Sequence, residues 1–174
     1  MHRMFGFSSP ISPLLKRANA CMASGDYLAA AKAYEELLEQ SGPQPGPQFA
    51  FVCLQAGSAR LQAGQSAQAV NHFRRGLDIL ATHSRYAQMY HSGQRIKTEL
   101  EKRGMVREAR VFMAQIHSNM PAAAEIPTQH VSEQLPTLPP ICPICGGFLR
   151  VFELHWRNAH TAECSFCASP LEIA

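Results

Sequence analysis

Four cysteines near the end of the chain, arranged as two Cys-x-x-Cys pairs, constrain its fold more than any other feature. Cys142 and Cys145 form the first pair, Cys164 and Cys167 form the second, and eighteen residues lie between the pairs. Two residues between thiolates allow one tight turn to aim both sulfur atoms at a single ion, and a second turn completes a tetrahedral set. The spacing therefore predicts a metal ion bound by these four cysteines.

Paired cysteines can also form disulfides or a redox dithiol. The first fifteen residues include Arg3, Pro10 and Pro13 and no apolar run long enough for a secretory signal. A reducing, cytoplasmic compartment is therefore expected, where metal thiolates are favoured over disulfides. A redox dithiol would open a helix within a βαβ pattern, and neither pair has that context. We expect Zn²⁺ as the bound ion, with iron in a rubredoxin-like four-sulfur site as the alternative.

Two histidines between the pairs offer another ligand set. Only nine residues separate Cys145 from His155, fewer than the usual twelve of a two-cysteine, two-histidine finger. Choosing His155 and His160 as ligands would also leave Cys164 and Cys167 without a role. We therefore expect an all-cysteine site, with both histidines on the hairpin between the pairs.

The residues around the cysteines favour a small β structure. Aromatic and branched side chains over 148–154 predict a strand, and 170–173 predicts a short further strand. The segment 141–174 resembles a zinc ribbon. A segment this short cannot bury a sufficient core alone, so metal binding would supply much of its folding free energy, on the order of 10 kcal/mol in zinc-finger peptides. Chelation is expected to unfold 140–174 and to leave the helices ahead of it largely intact.

A repeated pattern precedes the cysteines. Gly25, Gly64 and Gly104 lie 39 and 40 residues apart, each between two helical patterns, where a left-handed turn is easy for glycine. An alanine follows five residues after each glycine, and a large apolar residue follows four residues later: Ala30 and Tyr34, Ala69 and Phe73, Ala109 and Met113. The alanine allows two helices to approach closely, and the large side chain fills the space one turn on.

These residues resemble the tetratricopeptide repeat (TPR), a helix–turn–helix unit that stacks into a right-handed solenoid. The period exceeds the 34 residues of that family, and Lys97 stands in the third unit where the second has Gly57. The expected fold is mainly α: a TPR-like solenoid of about three helical hairpins with a small β zinc ribbon. A six-helix bundle without a superhelix is the alternative. The predicted parts are an irregular lead-in over 1–12, the repeat domain over 13–120, a proline-rich linker over 121–140 and the ribbon over 141–174.

Composition and motifs point away from several classes of protein. Hydrophobic residues make up 46% of the 174, charged residues make up 17%, and the net charge is +3, which are ordinary values for a soluble globular protein. No apolar run approaches the roughly 18 residues of a membrane span. Phosphate-binding loops and hydrolase motifs are not found, and four protein ligands would leave no open position on the metal. The protein is therefore not expected to be an enzyme.

The resemblance implies a groove lined by the first helix of each hairpin. The matched groove residues are Leu15, Asn19, Met22, Phe51, Leu54, Ser58, Leu61, His91 and Gln94. A largely apolar groove suits a peptide or amphipathic helix of a partner protein, which favours an interaction scaffold. An acidic C-terminal tail is not expected, because the lysines of a carboxylate-binding groove are missing. A Leu54→Arg change is expected to abolish partner binding and preserve the fold, unless the lead-in or linker covers the groove.

Two other functions remain open at this point. Between Arg60 and Arg110 there are ten Lys or Arg against four Asp or Glu, which would suit a nucleic-acid-associated adaptor using the basic helices and the ribbon. Steep salt dependence of DNA or RNA binding would support that reading. The cysteines would also suit a thiol-based redox or metal sensor, and reversible zinc release by mild oxidant would support it.

Overall fold

The computed structural model describes residues 12–121, 137–158 and 160–172. The elements in chain order are α1 (Pro13–Ser24), α2 (Tyr27–Glu39), α3 (Pro47–Gln62), α4 (Ser66–Thr82), α5 (Tyr86–Lys102), α6 (Val106–Asn119), a 3-10 helix (Val151–Glu153), β1 (His155–Asn158), β2 (Thr161–Glu163) and β3 (Pro170–Glu172). Each α-helix packs against the next one in the chain. The prediction of a mainly α protein with a small β part is confirmed. Of the predicted lead-in over 1–12 and the predicted linker over 121–140, residues 1–11 and 122–136 lie outside the described residues.

The three predicted hairpin turns are present. Gly25, Gly64 and Gly104 follow α1, α3 and α5 with φ angles of 81°, 79° and 77°, a region that glycine enters without steric cost. The alanines and large residues of the repeated pattern are all buried: Ala30, Tyr34, Ala69, Phe73, Ala109 and Met113. The pattern therefore predicted both the turns and the packing inside each hairpin.

The middle hairpin is closely packed. A Cβ atom at Gly57 in α3 would lie 2.6 Å from the Phe73 ring, and one at Gly76 in α4 would lie 2.8 Å from Leu54. Contacts that short do not occur, so the two helices can approach this closely only with glycine at both positions. As a result Leu54 is only 1% exposed and belongs to the contact between α3 and α4.

The ribbon, meaning here residues 137–158 and 160–172, differs from the predicted β structure. Over 148–154, Phe148 pairs with Ile141 in an isolated bridge, and the chain then turns through the 3-10 helix. The predicted strand over 148–154 is therefore wrong, and the first strand begins at His155. The physical reason is Glu153, whose carboxylate and carbonyl are bound by residues of α5. The sheet has the order β1-β2-β3 with antiparallel pairing, and its last strand confirms the predicted short strand near 170–173.

The helices and the ribbon share one hydrophobic core. Phe51 of α3 packs edge-to-face against Phe166 of the ribbon, with ring centroids 6.3 Å apart. His91 of α5 stacks on Phe152 at a centroid distance of 4.8 Å. The ribbon therefore docks against the first helix of each hairpin and is not a structurally separate part of the chain.

A polar network on another face ties three helices together. Glu35 of α2 accepts hydrogen bonds from the Arg60 guanidinium of α3, with Nε at 2.8 Å from Oε1, and pairs with His72 Nε2 of α4 at 2.8 Å. The bond from Arg60, followed by the bond with His72, holds the pKa of Glu35 below its ordinary value of 4.5, although burial opposes the shift. The ionised carboxylate therefore stabilises the helical stack.

A Glu35→Gln change is expected to lower the free energy of unfolding by about 1 kcal/mol at neutral pH, since a partly buried ion pair is lost. Because the folded pKa is lowered, the stabilisation is fully present above pH 4.5 and disappears as pH falls through the lower folded value. Urea unfolding measured across this range should show the wild type and variant converging in acid. Glu36→Gln, at the exposed neighbouring position, is the control; equal losses in both variants would contradict the assignment.

Candidate metal centre

The four predicted ligands converge on one point. Their Sγ atoms all lie within 4.8 Å of one another, with 3.9 Å between Cys142 and Cys167 and 3.8 Å between Cys145 and Cys164. A tetrahedral ion with zinc–sulfur bonds of about 2.3 Å would place its sulfur ligands about 3.8 Å apart. The cluster therefore has the ligand type, number and spacing of a structural tetrathiolate site.

Two similar turns produce this convergence. In the first, the Cys142 carbonyl accepts from Gly146 N–H at 2.9 Å, and Cys142 N–H donates to the Gly147 carbonyl at 2.8 Å. The second repeats the pattern: the Cys164 carbonyl accepts from Ala168 N–H, and Cys164 N–H donates to the Ser169 carbonyl, both at 2.9 Å. The residue after the second cysteine is left-handed in both turns, with φ of 74° at Gly146 and 55° at Ala168.

The sulfur atoms compete for protons. Hydrogen bonding with Cys164 and Cys167, together with burial, raises the pKa of the Cys145 thiol, whereas hydrogen bonds from Cys145 and Cys164 lower the pKa of Cys167. One thiolate is thus stabilised by neighbours that keep their protons. A divalent cation removes this conflict, because it compensates the charge of several thiolates at once, and its binding would release the retained protons.

The histidines take no part in the cluster. His155 Nδ1 lies 2.9 Å from Glu163 Oε2 across the hairpin, and His160 is exposed beyond the strand end. The set of four sulfur atoms agrees with the prediction of an all-cysteine site.

A buried hydrogen-bonded chain connects the first metal turn to the helices. Asn19 Nδ2 of α1 donates to the Cys145 carbonyl at 2.8 Å, and Tyr34 of α2 donates its hydroxyl to Asn19 Oδ1 at 2.7 Å. Burial raises the pKa of Tyr34, so the phenol remains protonated and able to donate. The backbone of one cysteine of the cluster is thereby held directly by the helical stack.

Glu153 makes the second polar connection. Its side chain is only 6% exposed, and its Oε1 accepts from Arg95 Nε of α5 at 3.0 Å. Its Oε2 lies 3.4 Å from Arg150 Nη1 within the ribbon, and its carbonyl accepts from Gln88 Nε2 of α5 at 2.9 Å. A buried carboxylate requires such partners, so this cluster fixes the position of the ribbon on α5.

The nine predicted groove residues fall into three groups. Asn19, Phe51 and His91 contact the ribbon. Met22, Ser58 and Leu61 line a cavity of about 300 Å³ that the ribbon closes with Phe148 and Arg150. Leu15 and Leu54 are buried, and Gln94 is half-buried on α5. Much of the surface predicted for a partner is therefore covered by the ribbon of the same chain, whereas the prediction considered only the lead-in and the linker as covers.

Leu54 requires a correction. It packs against α4 at Gly76, so arginine there would bury a charge between α3 and α4, and the expectation that Leu54→Arg preserves the fold is wrong. The sequence carried a signal for this. From Ala50 to Gly57 every residue of α3 is buried, and the run is apolar on all sides of the helix except at Gln55, which is typical of a helix enclosed by neighbours.

No family model, curated protein or solved structure matches this chain. The fold and the site thus define its class: a mainly helical protein with a tetracysteine cluster that could hold a metal ion. Among the helices of the described segments, none combines the length and the apolar character needed to cross a membrane.

We expect one metal ion per chain in reduced, freshly isolated protein, and zinc rather than iron. Replacing Cys142 and Cys145 together by serine should remove it, because the ion would lose two of its four ligands. Elemental analysis measures the amount and the identity of the metal in the wild type and in the double variant. Cys53→Ser, at a buried cysteine outside the cluster, is the control. Less than half an equivalent of metal in the wild type would count against the site, and a red colour would reveal iron.

The two turns also predict opposite changes in stability when glycine and alanine are exchanged at their left-handed positions. Ala168→Gly should stabilise the metal-loaded protein by about 0.5–1 kcal/mol, because an L-residue with φ of 55° is strained. Gly146→Ala should destabilise it by about 1 kcal/mol, although a Cβ atom there has only Asn19 Cβ, at 3.8 Å, as a neighbour. Thermal unfolding with zinc in excess measures both changes. Shifts in the same direction would show that backbone conformation is not the cause.

Proposed function

We propose that this protein is a non-enzymatic interaction adaptor. Its partner-binding surface would be composite, built by the first helix of each TPR-like hairpin and by a zinc-held ribbon docked on those helices. The observation that carries the proposal is the docking itself. The ribbon is held by Asn19 of α1, Phe51 of α3 and Gln88 of α5, so it is a fixed part of the surface that a partner would meet.

The composite surface retains room and apolar contact for a partner. The cavity beside Ser58 is closed on one side by Phe148, and Phe148 is itself 38% exposed. Two further exposed apolar side chains, Ile141 and Ile144, belong to the first metal turn. Apolar anchors beside a cavity suit a peptide or an amphipathic helix of a partner protein.

A structural role for the metal agrees with this function. Four cysteine ligands would complete a tetrahedral shell around zinc and leave no position for a reacting water. The ion would supply folding free energy to the ribbon, while Cys142, Cys145, Cys164 and Cys167 fix the shape of the surface that docks. Catalysis is not part of the proposal.

The two other functions gain less support. Several cations counted in favour of nucleic acid are engaged by carboxylates, including Arg60 by Glu35 and Arg95 by Glu153. A redox or metal sensor would use the same cluster, in which Cys167 is half-buried and the other three cysteines are buried. Release of zinc by mild oxidant at a rate that changes partner binding would favour the sensor.

Metal removal tests whether the ribbon and helices form one unit. Chelation should increase hydrogen exchange throughout the ribbon and also in α1, α3 and α5, because these helices lose their cover. The helical signal in circular dichroism should remain largely intact, with a lower thermal midpoint. If the faster exchange is confined to the ribbon, the docking is not a feature of the protein in solution. Loss of most helicity would mean that the ribbon is needed to hold the helices together.

Partner capture tests the function. A binding protein identified by affinity capture should be lost when Ser58→Arg fills the cavity, and also when the metal is removed. Gln68→Arg, at an exposed position of α4 away from the ribbon, adds the same charge and is the control. A partner that still binds both Ser58→Arg and metal-free protein does not use the composite surface.

A further inference from the structure

The cavity between the helices and the ribbon has walls of two kinds. It encloses about 300 Å³, at the lower end of the range for ligand pockets. Met22, Leu61 and Phe148 supply apolar surface, whereas Gln55, Arg95 and Arg150 supply polar groups. Arg150 comes from the ribbon and the other two polar residues come from α3 and α5, so the complete wall exists only while the ribbon is docked.

Gln55 is a buried polar residue at the cavity wall. The residue is only 4% exposed, lines the cavity, and has no hydrogen-bond partner among the described residues. Its amide atoms nevertheless are not fully enclosed, because no fully buried side-chain nitrogen or oxygen atom of the described chain lacks a partner. The amide therefore faces the cavity, where an occupant would supply the partner that a buried amide requires.

Among the described residues, the charges at and beside the cavity sum to one positive charge when Lys102 is counted with its partner Glu99. Arg95 and Arg150 share the single carboxylate of Glu153. Glu99 also lines the cavity, but its carboxylate pairs with Lys102 Nζ at 3.3 Å. Among the described residues, Nη1 and Nη2 of Arg95 donate to no protein group. Burial lowers the pKa of Arg150, the Glu153 carboxylate opposes that shift, and the charge of Arg95 adds to it. A further anion beside Arg150 and the Nη atoms of Arg95 would therefore be stabilised.

We propose that the cavity binds a carboxylate on an aliphatic stem, either the C-terminal residue of a peptide or a small aliphatic acid. Arg95 and Arg150 bind the carboxylate, Gln55 donates to or accepts from the adjoining polar group, and Met22, Leu61 and Phe148 contact the stem. A carboxylate fits better than a phosphate dianion because one positive charge is available and the remaining wall is apolar.

This inference names the ligand of the composite surface and rests on the docked ribbon of the proposed function. The sequence argued against carboxylate binding, because the lysines expected in the groove are missing. Only cations carried by the helices were counted for that expectation. The docked ribbon brings Arg150 to the same place from 55 residues further along the chain than Arg95.

The test is calorimetric titration of the zinc-loaded full chain with defined probes. A short peptide ending in leucine with a free carboxylate should bind, and its C-terminal amide should bind at least tenfold more weakly, because charge-assisted hydrogen bonds are lost. The small-molecule probe is 4-methylpentanoate, and inorganic phosphate is the competing anion. Binding of both carboxylates identifies the group itself as the ligand, whereas binding of the peptide alone identifies the chain end as the source.

Two variants and a control locate the site. Arg150→Gln should weaken carboxylate binding at least tenfold. Gln55→Leu should weaken it several-fold without lowering stability, because no hydrogen bond joins Gln55 to another of the described residues. Arg157→Gln removes an arginine that instead pairs with Glu163 outside the cavity, and it should leave binding unchanged.

Hydrogen exchange of the same samples separates the possible failures. If the ribbon is docked and neither carboxylate probe binds, or phosphate binds more tightly, the carboxylate site is overturned and the adaptor function stands. Equal weakening by Arg150→Gln and Arg157→Gln would mean that the anion is held elsewhere. An undocked ribbon would overturn both the site and the composite surface.

Discussion

The hydrogen bond from Asn19 to the Cys145 carbonyl joins the metal turn to the helices, and the arrangement of the two parts depends on it. Asn19 is itself oriented by the Tyr34 hydroxyl, and both residues are buried almost completely. A buried donor or acceptor left unpaired costs about 1–3 kcal/mol. The first metal turn can therefore lie against α1 only where the amide, the phenol and the carbonyl are satisfied together, which directs Ile144 outwards.

Glu153 imposes a second condition on the same docking. Removing a carboxylate from water is costly, and ion pairing offsets the cost only when the geometry is good. Here the offset needs Arg95 from one part of the molecule and Arg150 from the other. The cluster therefore contributes more to the orientation of the ribbon than to the strength of its attachment. The ring contacts of Phe51 with Phe166 and of His91 with Phe152 add attraction between the two parts.

The features that the sequence predicted well depend on the spacing of residues that are close together in the chain. The glycine, alanine and aromatic positions of each hairpin are set by one turn of helix, and the cysteine pairs are set by one tight turn. The docking joins Asn19 to Cys145 and Gln88 to Glu153, pairs separated by 126 and 65 residues. Contacts between residues so far apart in the chain leave no periodic pattern in the sequence. The wrong prediction of a strand over 148–154 has the same origin, because the chain bends at Glu153 to meet α5. The place of Gln55 at the cavity wall could not be predicted, since an isolated glutamine in an apolar helix forms no distinctive sequence pattern.

The division of the cavity between two parts of the chain has a thermodynamic consequence. A ligand held by both Arg95 and Arg150 binds the docked form and not the undocked form, so it stabilises docking by the differential binding free energy. Docking in turn favours the metal-loaded ribbon, because the Cys145 carbonyl meets Asn19 only when the first turn is folded. The proposed ligand and a bound metal ion would therefore raise each other's affinity by the same factor. Coupling of the two proposed sites would need no moving helix, since the ribbon that carries the four cysteines also forms part of the cavity wall.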